Sequence, residues 1–600
     1  MSGQISAKDI VGLGRRTQKC GVATAQQVGT EQVLCGWVRK RRDHGGLVFI
    51  DLADHSGFTQ IVVAPEKEEA FKRAGEIRSE YVVTVKGRLR NRPEGTVNRG
   101  VPTGEVELVA DELVVLSPAQ TPPFAIADDV EIKEELRLKY RFLDLRRPRM
   151  QEILRLRHRV YQATRRYLDA EGFCETETPI LTKTTPEGAR DFLVPCRLSP
   201  GMFYALPQSP QLFKQVLMVS CLDRYYQIVR CFRDEDFRAN RQPEFTQIDI
   251  EMSFIDESQI SEMLEGLIQS IWQGAVGQEL TLPFPRISYD EAMNRFGVDA
   301  PDMRFGLELV DVTKLFAESG FNVFKEASQT GAIKGLLFPG GAKFSRKELD
   351  DLGEFVANYG AKGLSWMKFE GSECKSPIAK FLSPAEVEGL KSAFGYQEGD
   401  LMLLVAAKKS VVHASLGALR VQLAKQHGLI DQSKLAFCWI DRFPLVEWDE
   451  EGKRWLSVHH PFTSPLIQNE RDLELLDSNP GELRARAYDL VLNGQEIAGG
   501  SISIHNPEIQ RKIFSILGIS PAEAQMKFGF LLEALSFGAP PHGGIAVGLD
   551  RVVMLLTGSD SIRDVIAFPK TQKGVDLMVN APSIAGDDQL KELAIRVVKG

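Results

Sequence analysis

Alternating apolar and polar positions dominate the first part of the chain, between Val33 and Leu116. Such alternation in short runs, bounded by Gly, Asp, Asn and Pro, is typical of half-buried β-strands. Five runs have this character: VLCGWV, LVFIDLAD, TQIVVAP, YVVTVKGRL and VELVADELVVL. With basic and aromatic residues on one side, they predict an OB-fold, a small barrel that commonly binds single-stranded nucleic acid. The proline-rich segment that ends at Phe124 is typical of a linker.

A helical period follows the linker. Apolar residues recur every three or four positions between Gln151 and Ala170, which predicts an amphipathic helix that ends near Gly172. The next apolar run, Thr178–Leu181, predicts a strand, and the proline within it favours an edge or an interface over a central position.

A charged turn beside a second alternating run is the most informative stretch of the chain. Arg233 and Glu235 are two residues apart, as on one face of a strand, and Phe245, Gln247 and Asp249 repeat that period. An arginine can bind a phosphate, a carboxylate can accept from an exocyclic amine, and a phenylalanine offers a face to a base. The pattern therefore fits a nucleotide site, although an ordinary hairpin with surface ion pairs fits it equally well.

Length and composition narrow the class of protein. A chain of 600 residues exceeds what one core usually supports, so we expect several globular domains. No apolar run could span a bilayer and no leader is evident, which predicts a cytoplasmic protein without a membrane partner. Eight scattered cysteines favour reduced thiols over disulfides or a zinc site. The net charge of -8 still permits nucleic-acid binding at local basic patches such as 39–42, although solvated charged faces explain such patches too.

The segment CFRDEDFRANRQPEFTQID, which starts at Cys231, resembles motif 2 of the class II aminoacyl-tRNA synthetases, and QPEFTQID resembles the aspartyl and asparaginyl members. The resemblance covers essentially the whole chain. It implies an α+β multidomain fold: an N-terminal OB-fold β-barrel, an antiparallel β-sheet catalytic domain flanked by helices, and an inserted α/β domain. The insertion resembles that of bacterial aspartyl-tRNA synthetases.

The same resemblance implies five parts along the chain and a homodimer. The predicted helix and proline-bearing strand are similar to motif 1, which builds the subunit interface in this family. The parts are an anticodon-binding domain over 1–122, a hinge over 123–135, catalytic segments over 136–301 and 431–600 (the latter with a C-terminal extension), and an insertion over 302–430.

The implied activity joins L-aspartate to tRNA in two ATP-dependent steps, through an aspartyl-adenylate. Arg233 and Arg551 correspond to the catalytic arginines that bind the phosphates of ATP. Without the resemblance, the glycine turn before Arg551 would predict only the start of a helix. Asp489 and Glu496 correspond to carboxylates that bind Mg²⁺, and a solvated pair is the alternative. The residues implied for ATP are Arg233, Asp234, Glu235, Gln242, Phe245, Glu496, Gly548, Leu549, Asp550 and Arg551.

The resemblance implies that a second set of residues binds the amino acid. Glu187 corresponds to the acceptor of the substrate ammonium, and Lys214 suits an acidic substrate. His459 lies in VHHPFT, similar to a mobile motif that closes over the ligand, although paired histidines are also common as buried structural residues. The implied set is Glu187, Gln211, Leu212, Phe213, Lys214, Asp249, His459 and Ser503.

Ser503 departs from the family pattern. Relatives have G-G-S-x-R-I-H, with an arginine that binds the side-chain carboxylate of aspartate, and this chain has GGSISIH. Loss of one partner of a desolvated charge pair typically costs about 2 to 5 kcal/mol. Three explanations stay open: Lys214 and another arginine compensate for the missing arginine, the protein binds aspartate weakly, or its activity has changed.

The barrel supplies the expected tRNA contacts. Arg42, Phe49 and Gln60 correspond to residues that hold anticodon bases, although Phe49 alone would fit a core aromatic. His44 and Gly95 resemble the type that charges both tRNA(Asp) and tRNA(Asn). Two other functions stay open: a class II relative that activates a different amino acid, and a non-catalytic RNA-binding or regulatory protein.

Overall fold

The computed structural model of the chain describes residues 11–184, 188–235, 241–370 and 373–598. The chain divides into two compact units, Met1–Glu152 and Ile153–Gly600. Within the described ranges, no helix combines the length and the apolar character that crossing a bilayer requires. All eight cysteines are free thiols.

The first unit contains a closed five-stranded barrel in the order β1-β2-β3-β5-β4. Apolar side chains alternate into its interior, as in β2, where Val48 and Ile50 are buried and Phe49 and Asp51 face outward. The predicted OB-fold barrel is therefore confirmed. The elements of this unit are β1 (Glu31–His44), β2 (Leu47–Asp54), β3 (Gly57–Val63), α1 (Glu68–Glu76), β4 (Val82–Asn91), β5 (Val106–Ser117), α2 (Glu134–Lys139) and α3 (Arg141–Asp144).

A long helix, α4 (Pro148–Ala170), begins in the first unit and confirms the predicted amphipathic helix. The further strands of the chain are β6 (Cys174–Glu175), β7 (Leu193–Pro195), β8 (Phe203–Ala205), β9 (Arg224–Phe232), β10 (Glu244–Ser253), β11 (Arg286–Ser288), β12 (Val310–Asp311), β13 (Ala332–Phe338), β14 (Ser365–Glu370), β15 (Glu373–Lys375), β16 (Leu401–Ala407), β17 (Phe437–Asp441), β18 (Val446–Asp449), β19 (Arg454–Ser457), β20 (Ala487–Leu492), β21 (Gln495–Ser503) and β22 (His542–Gly548).

The helices that follow α4 cover these strands. They are α5 (Gln211–Val219), α6 (Glu257–Val276), α7 (Tyr289–Phe296), α8 (Asn322–Thr330), α9 (Arg346–Ala357), α10 (Pro384–Phe394), α11 (Lys409–Gln426), α12 (Glu470–Ser478), α13 (Pro507–Ile516), α14 (Pro521–Leu535), α15 (Leu549–Thr557), α16 (Ile562–Val565) and α17 (Asp587–Glu592).

The second unit is built on an eight-stranded sheet in the order β11-β17-β20-β21-β22-β10-β9-β6. Its six central strands pair antiparallel, and only the short edge strands β11 and β6 pair parallel with their neighbours. Helices α5 and α15 pack against β10, and α6 packs against β22. This sheet and its helices confirm the expected catalytic architecture.

A separate five-stranded antiparallel sheet, in the order β12-β13-β16-β14-β15, lies between the two halves of the larger sheet in sequence. Helices α8 and α11 pack against its central strands β13 and β16. Its own core includes Leu336, Leu403 and Leu416. The inserted α/β part of the expected fold is therefore present.

The predicted strand over Thr178–Leu181 is wrong. These residues form no ladder, and the pairing next to them consists of β6 and an isolated bridge between Thr182 and Ala205. Pro179 lacks an amide hydrogen and restricts the residue before it, which explains why an apolar run with the right composition does not pair here.

Candidate active site

One face of the eight-stranded sheet carries the candidate site. Side chains alternate along β10, so Phe245, Gln247, Asp249 and Glu251 share a face. In the pairing register Asp249 lies opposite Gln227 of β9 and Ala546 of β22, and Glu251 lies opposite Tyr225 and Gly544. The small residues of β22 leave room above the sheet for the carboxylates of β10 and for a ligand.

Gly544 is the tightest of these positions. A Cβ atom there would lie 1.9 Å from Glu251 Oε2, well inside van der Waals contact. The carboxyl group of Glu251 therefore lies flat against the backbone of β22, and no larger residue could occupy position 544 without displacing it.

A cleft of about 220 Å³ opens at the β9–β10 end of this face. It brings together eight of the ten residues implied for ATP: Arg233, Glu235, Gln242, Phe245, Glu496, Gly548, Asp550 and Arg551. Arg233 lies over the Phe245 ring, with its guanidinium carbon 5.2 Å from the ring centre. Its Nε has no hydrogen-bond partner in the described part of the chain, so this buried donor is available to an anionic ligand.

The other two residues of the ATP set do not line this cleft. Leu549 is fully buried, in the first turn of α15. Asp234 lies just beyond β9 and forms a bridge and a long ion pair of 3.7 Å with Arg190. Leu549 can therefore act on a nucleotide only through its backbone.

Asp550 is held by the fold. Its Oδ1 accepts from Arg157 Nη1 at 2.6 Å, and its Oδ2 accepts from the Thr246 amide at 2.8 Å. This contact joins α4, β10 and α15, and it fixes the position of the next residue, Arg551, whose Nη1 donates to the carbonyl of Glu496. Sequence reasoning missed Arg157, because 393 positions separate it from Asp550 and no local pattern signals the pairing.

The two candidate metal ligands converge at the β20–β21 hairpin. A Cβ atom at Gly499 would lie 2.7 Å from Asp489 Oδ1 and 3.3 Å from Glu496 Oε1, so both carboxylates approach the same glycine. Burial and the neighbouring Glu496 raise the pKa of Asp489 well above its usual range. Two crowded carboxylates suit a hard divalent cation, and bound phosphate and water could complete its shell. Among the described residues no cluster of three or more such ligands occurs.

At the other end of the sheet face, Lys214 of α5 lies between two carboxylates. Its Nζ is 2.9 Å from Asp249 Oδ1 and 3.2 Å from Glu251 Oε2. Burial lowers the pKa of Lys214, but Asp249 and Glu251 outweigh this effect and raise the pKa overall. Glu251 is absent from the sequence-derived set, although its position two residues after Asp249 on the same strand face was a usable signal.

The other amino-acid candidates are distributed as follows. Gln211 shares a helix face with Lys214, three residues on, whereas Leu212 is buried in a core cluster with Phe462 and cannot contact a ligand through its side chain. Phe213 packs against Phe530, with ring centres 5.8 Å apart. Glu187 lies outside the described residues.

The histidine pair, His459 and His460, is half-buried. His459 packs edge-on against Phe443, and burial lowers its pKa to about 4. His460 accepts from the Phe462 amide through Nδ1 at 3.2 Å, and burial lowers its pKa to about 3. Both imidazoles are therefore neutral at physiological pH.

Ser503 is buried at the end of β21. It lies opposite His542 in the register, and its Oγ donates to Glu251 Oε1 over a long 3.5 Å. Lys214 is the only cation within 4.0 Å of Glu251 in the described ranges.

The outer face of the barrel holds the candidate tRNA residues. Arg42 lies opposite Phe49 across β1 and β2, and Gln60 lies opposite Asp51 across β2 and β3. Arg42 pairs with Asp51 at 2.7 Å, and burial raises the pKa of Asp51. Gln60 Nε2 donates to Glu107 Oε2 at 2.8 Å. The structure therefore places all three predicted anticodon residues on one partly exposed surface.

The two discrimination candidates lie in turns. His44 ends β1 and directly precedes Gly45 and Gly46, whose positive φ angles form a tight hairpin. Gly95 is exposed in the β4–β5 connection with a φ of +80°, a conformation that favours glycine.

Comparisons with known proteins agree with this geometry. A family model described as tRNA synthetases class II (D, K and N) matches residues 133–572, and one described as an OB-fold nucleic acid binding domain matches residues 32–116. The Aspartate–tRNA(Asp/Asn) ligase of Syntrophotalea carbinolica is 57% identical over 98% of this chain and 99% of its own. The Aspartate–tRNA ligase of Geobacillus kaustophilus is 53% identical over 97% of this chain and 99% of its own.

A solved structure shows the same fold. It is the crystal structure of asparaginyl-tRNA synthetase from Pyrococcus horikoshii complexed with asparaginyl-adenylate, with a TM-score of 0.56 at 18% identity, over 92% of this chain and 98% of that chain. Because the catalytic family model covers most of the chain and relatives are more than half identical along nearly all of it, the protein belongs to the class II tRNA synthetases of the D, K and N group.

Proposed function

We propose that the protein is an aspartate–tRNA ligase. It activates L-aspartate with ATP to form aspartyl-adenylate and pyrophosphate, and then transfers the aspartyl group to the terminal ribose of tRNA. The observation that supports this most is that the same sheet face carries a cleft lined by Arg233 and Arg551 near one end and, near its other end, the buried ammonium of Lys214. Relatives named as aspartate–tRNA ligases at 53–57% identity support the choice of amino acid.

The first step needs positioning and charge neutralisation. A carboxylate is already ionised at neutral pH, so no strong base is required, and the groups that matter are those that neutralise the phosphates and the leaving group. Arg233 and Arg551 do this at the cleft. Asp489 and Glu496 would hold Mg²⁺, which when bound neutralises phosphate charge.

We propose relaxed tRNA choice, with aspartylation of both tRNA(Asp) and tRNA(Asn). His44 and Gly95 support this choice, as does the printed name of the Syntrophotalea carbinolica relative. Purified protein should aspartylate tRNAs whose third anticodon base is C and tRNAs whose third base is U. Charging of only the former would contradict relaxed choice and leave the ligase activity intact.

The assembly and the location complete the proposal. Exposed apolar residues Ile180, Leu181 and Leu193 support a homodimer through the segment after α4. Sedimentation of the purified protein as a monomer would contradict the homodimer. The division at residues 122, 135, 301 and 430 and the cytoplasmic location also remain predictions.

Pyrophosphate exchange with each amino acid in turn tests the activity. Aspartate should support exchange better than any other amino acid, and Arg551→Ala should lower the rate by about 10²- to 10³-fold, as loss of one transition-state donor commonly does. Arg511→Ala, which removes an exposed arginine of α13, is the matched control and should leave the rate unchanged. Exchange with another amino acid alone would indicate a relative of different specificity, and no exchange at all would favour a non-catalytic protein.

A further inference from the structure

The amino-acid end of the site contains an excess of buried negative charge. Lys214, Asp249 and Glu251 are 3%, 1% and 0% exposed, and they bring one ammonium and two carboxyl groups together out of contact with water. A buried carboxylate is costly unless it is paired and hydrogen-bonded. One ammonium can balance only one of the two carboxylates.

Glu251 has the weaker partners of the two. Asp249 Oδ1 accepts a hydrogen bond from Lys214 Nζ at 2.9 Å, and Asp249 Oδ2 has no hydrogen-bond partner among the described residues. Glu251 Oε2 lies 3.2 Å from the same Nζ but lacks hydrogen-bond geometry, and Oε1 has only the long 3.5 Å contact from Ser503.

The other titratable groups around the pair are neutral. Tyr225 of β9 and Tyr488 of β20 face Glu251, and burial raises the pKa of each phenol. His542 of β22 and His460, which follows β19, lie near Lys214, and burial lowers the pKa of each imidazole. Within the described ranges, Lys214 is therefore the single cation within ion-pair distance of either carboxylate.

An acidic amino acid makes the imbalance larger, because its side chain adds a third carboxylate facing one ammonium. We propose that Glu251 works as a neutral carboxylic acid in this pocket: it holds one proton in the complex and donates a hydrogen bond to the side-chain carboxylate of the ligand. Lys214 then serves Asp249 and the ligand. This inference rests on the proposed function, since it takes L-aspartate as the ligand.

Burial raises the pKa of both carboxyl groups, and more for Asp249 than for Glu251. The pKa of Asp249 rises to about 6, against the opposing effect of Lys214. The two carboxyl groups face the same ammonium, so they titrate as a pair. The proton is assigned to Glu251 because Lys214 donates its shorter, hydrogen-bonding contact to Asp249 Oδ1. A raised pKa means that the proton is bound at low pH and lost as pH rises, so aspartate affinity should fall as pH rises.

The test is the pH dependence of KM for L-aspartate in pyrophosphate exchange, from about pH 6 to about pH 9. For the unaltered protein we expect KM for aspartate to rise about tenfold per pH unit above the titration point, while KM for ATP stays nearly constant. Glu251→Gln replaces the acid by a permanently neutral donor of similar shape, so its KM for aspartate should not vary with pH over this range.

Two changes at Ser503 provide the matched comparison. Ser503→Arg supplies a second cation beside Glu251, which favours the ionised carboxylate and should abolish the slope. Ser503→Ala supplies no charge and should retain the slope of the unaltered protein. Calorimetric titration in buffers of different ionisation enthalpy should show aspartate binding with net proton uptake for the unaltered protein and for Ser503→Ala, and with none for Glu251→Gln.

Three outcomes overturn the inference. The first is a Glu251→Gln profile that keeps the slope of the unaltered protein. The second is a Glu251→Gln KM raised at every pH, which would show that the negative charge itself is required. The third is aspartate binding without proton uptake at any pH. Exchange with a different amino acid and none with aspartate would overturn the proposed function, and this inference with it.

Discussion

At the scale of one residue, Gly499 allows the candidate metal ligands Asp489 and Glu496 to converge because it has no side chain. An added Cβ atom would lie 2.7 Å from Asp489 Oδ1, so Gly499→Ala should displace the carboxylates of Asp489 and Glu496 from their present positions. We expect the Mg²⁺ concentration for half-maximal exchange to rise by about 10- to 100-fold, as for other changes beside metal ligands. A magnesium titration of the exchange rate measures this.

The control for this change is Gly353→Ala on α9, where an added Cβ atom meets nothing within 4 Å. It should leave the magnesium requirement unchanged, and it should raise the free energy of unfolding by about 0.5 to 1 kcal/mol, because alanine is favoured over glycine inside a helix. An unaltered magnesium requirement in Gly499→Ala would argue against a metal at this hairpin.

The side chain of Arg157 supports the site through its hydrogen bonds. Its guanidinium donates to Asp550, to Thr246 Oγ1 at 3.2 Å and to the carbonyl of Val565 at 3.3 Å. Arg157→Met leaves the Asp550 carboxylate buried without a cation, which typically costs about 3 to 5 kcal/mol. The unfolding midpoint in urea should fall accordingly, and KM for ATP should rise because Arg551 loses its support.

The double variant Arg157→Met/Asp550→Asn discriminates pairing from packing. The double variant has neither charge of the ion pair. Its loss in free energy of unfolding should be smaller than the sum of the losses of the two single variants, because the two residues are in direct contact. Strictly additive losses would mean that the ion pair contributes little.

At the scale of elements, the N-terminus of α6 is stabilised by a side-chain cap, Asp256. Asp256 accepts from the amides of Ser258 at 2.9 Å and Gln259 at 3.2 Å, and Gln259 reaches back to the Asp256 amide. Asp256→Ala should therefore lower the free energy of unfolding by about 1 kcal/mol at pH 7.

The pH dependence of this cap follows from its charge. Hydrogen bonds from Ser258 and Gln259 lower the pKa of Asp256, so the carboxylate contributes stability above its ordinary pKa and loses it as pH falls through the lowered value. The gap between the unaltered protein and Asp256→Ala should shrink at acid pH. Asp256→Asn keeps the acceptor and should lose much less. A constant gap at every pH would contradict the role of the charge.

Patterns within an element were predictable, and contacts between distant elements were not. The period of two along β10 was enough to place Phe245, Gln247 and Asp249 on one face. The helix period could have separated Leu212 from Gln211 and Lys214, because neighbouring helix positions point about 100° apart. The strand expected at Thr178–Leu181 failed because composition does not reveal whether a partner strand is available.

Contacts between residues far apart in the chain were the part of the candidate site that the sequence could not predict. Each motif could be identified in its own segment, but the Arg157–Asp550 contact spans 393 positions and depends on how α4 and α15 pack. The shortage of positive charge around Glu251 also became visible only when α5, β10 and β21 were assembled. Motif matching therefore recovered the chemistry of the cleft and missed the groups that support it.

At the scale of the whole molecule, the two units should have separable roles. Phe49 lies in the first unit, partly exposed beside Arg42, whereas Arg233 and Arg551 lie in the second. Phe49→Ala should remove a stacking surface worth about 1 to 3 kcal/mol, which lowers kcat/KM for tRNA by roughly 5- to 150-fold.

Pyrophosphate exchange without tRNA is the internal control for this variant. It should proceed at the unaltered rate, because the activation step uses only the second unit. A parallel loss of exchange would contradict a role of Phe49 that is confined to tRNA binding.

The bare backbone at position 544 also constrains how this sequence can diverge. Any side chain there would collide with Glu251 Oε2 and also with the backbone carbonyl of Ile250, 2.1 Å from the added Cβ atom, so loss of the glutamate alone does not make a substitution tolerable. In a collection of orthologues position 544 should therefore stay glycine, also in lineages that have lost the glutamate. Lineages that keep glutamate together with a larger residue at 544 would show that the β10–β22 pair can open, and that evolution has found a different backbone here.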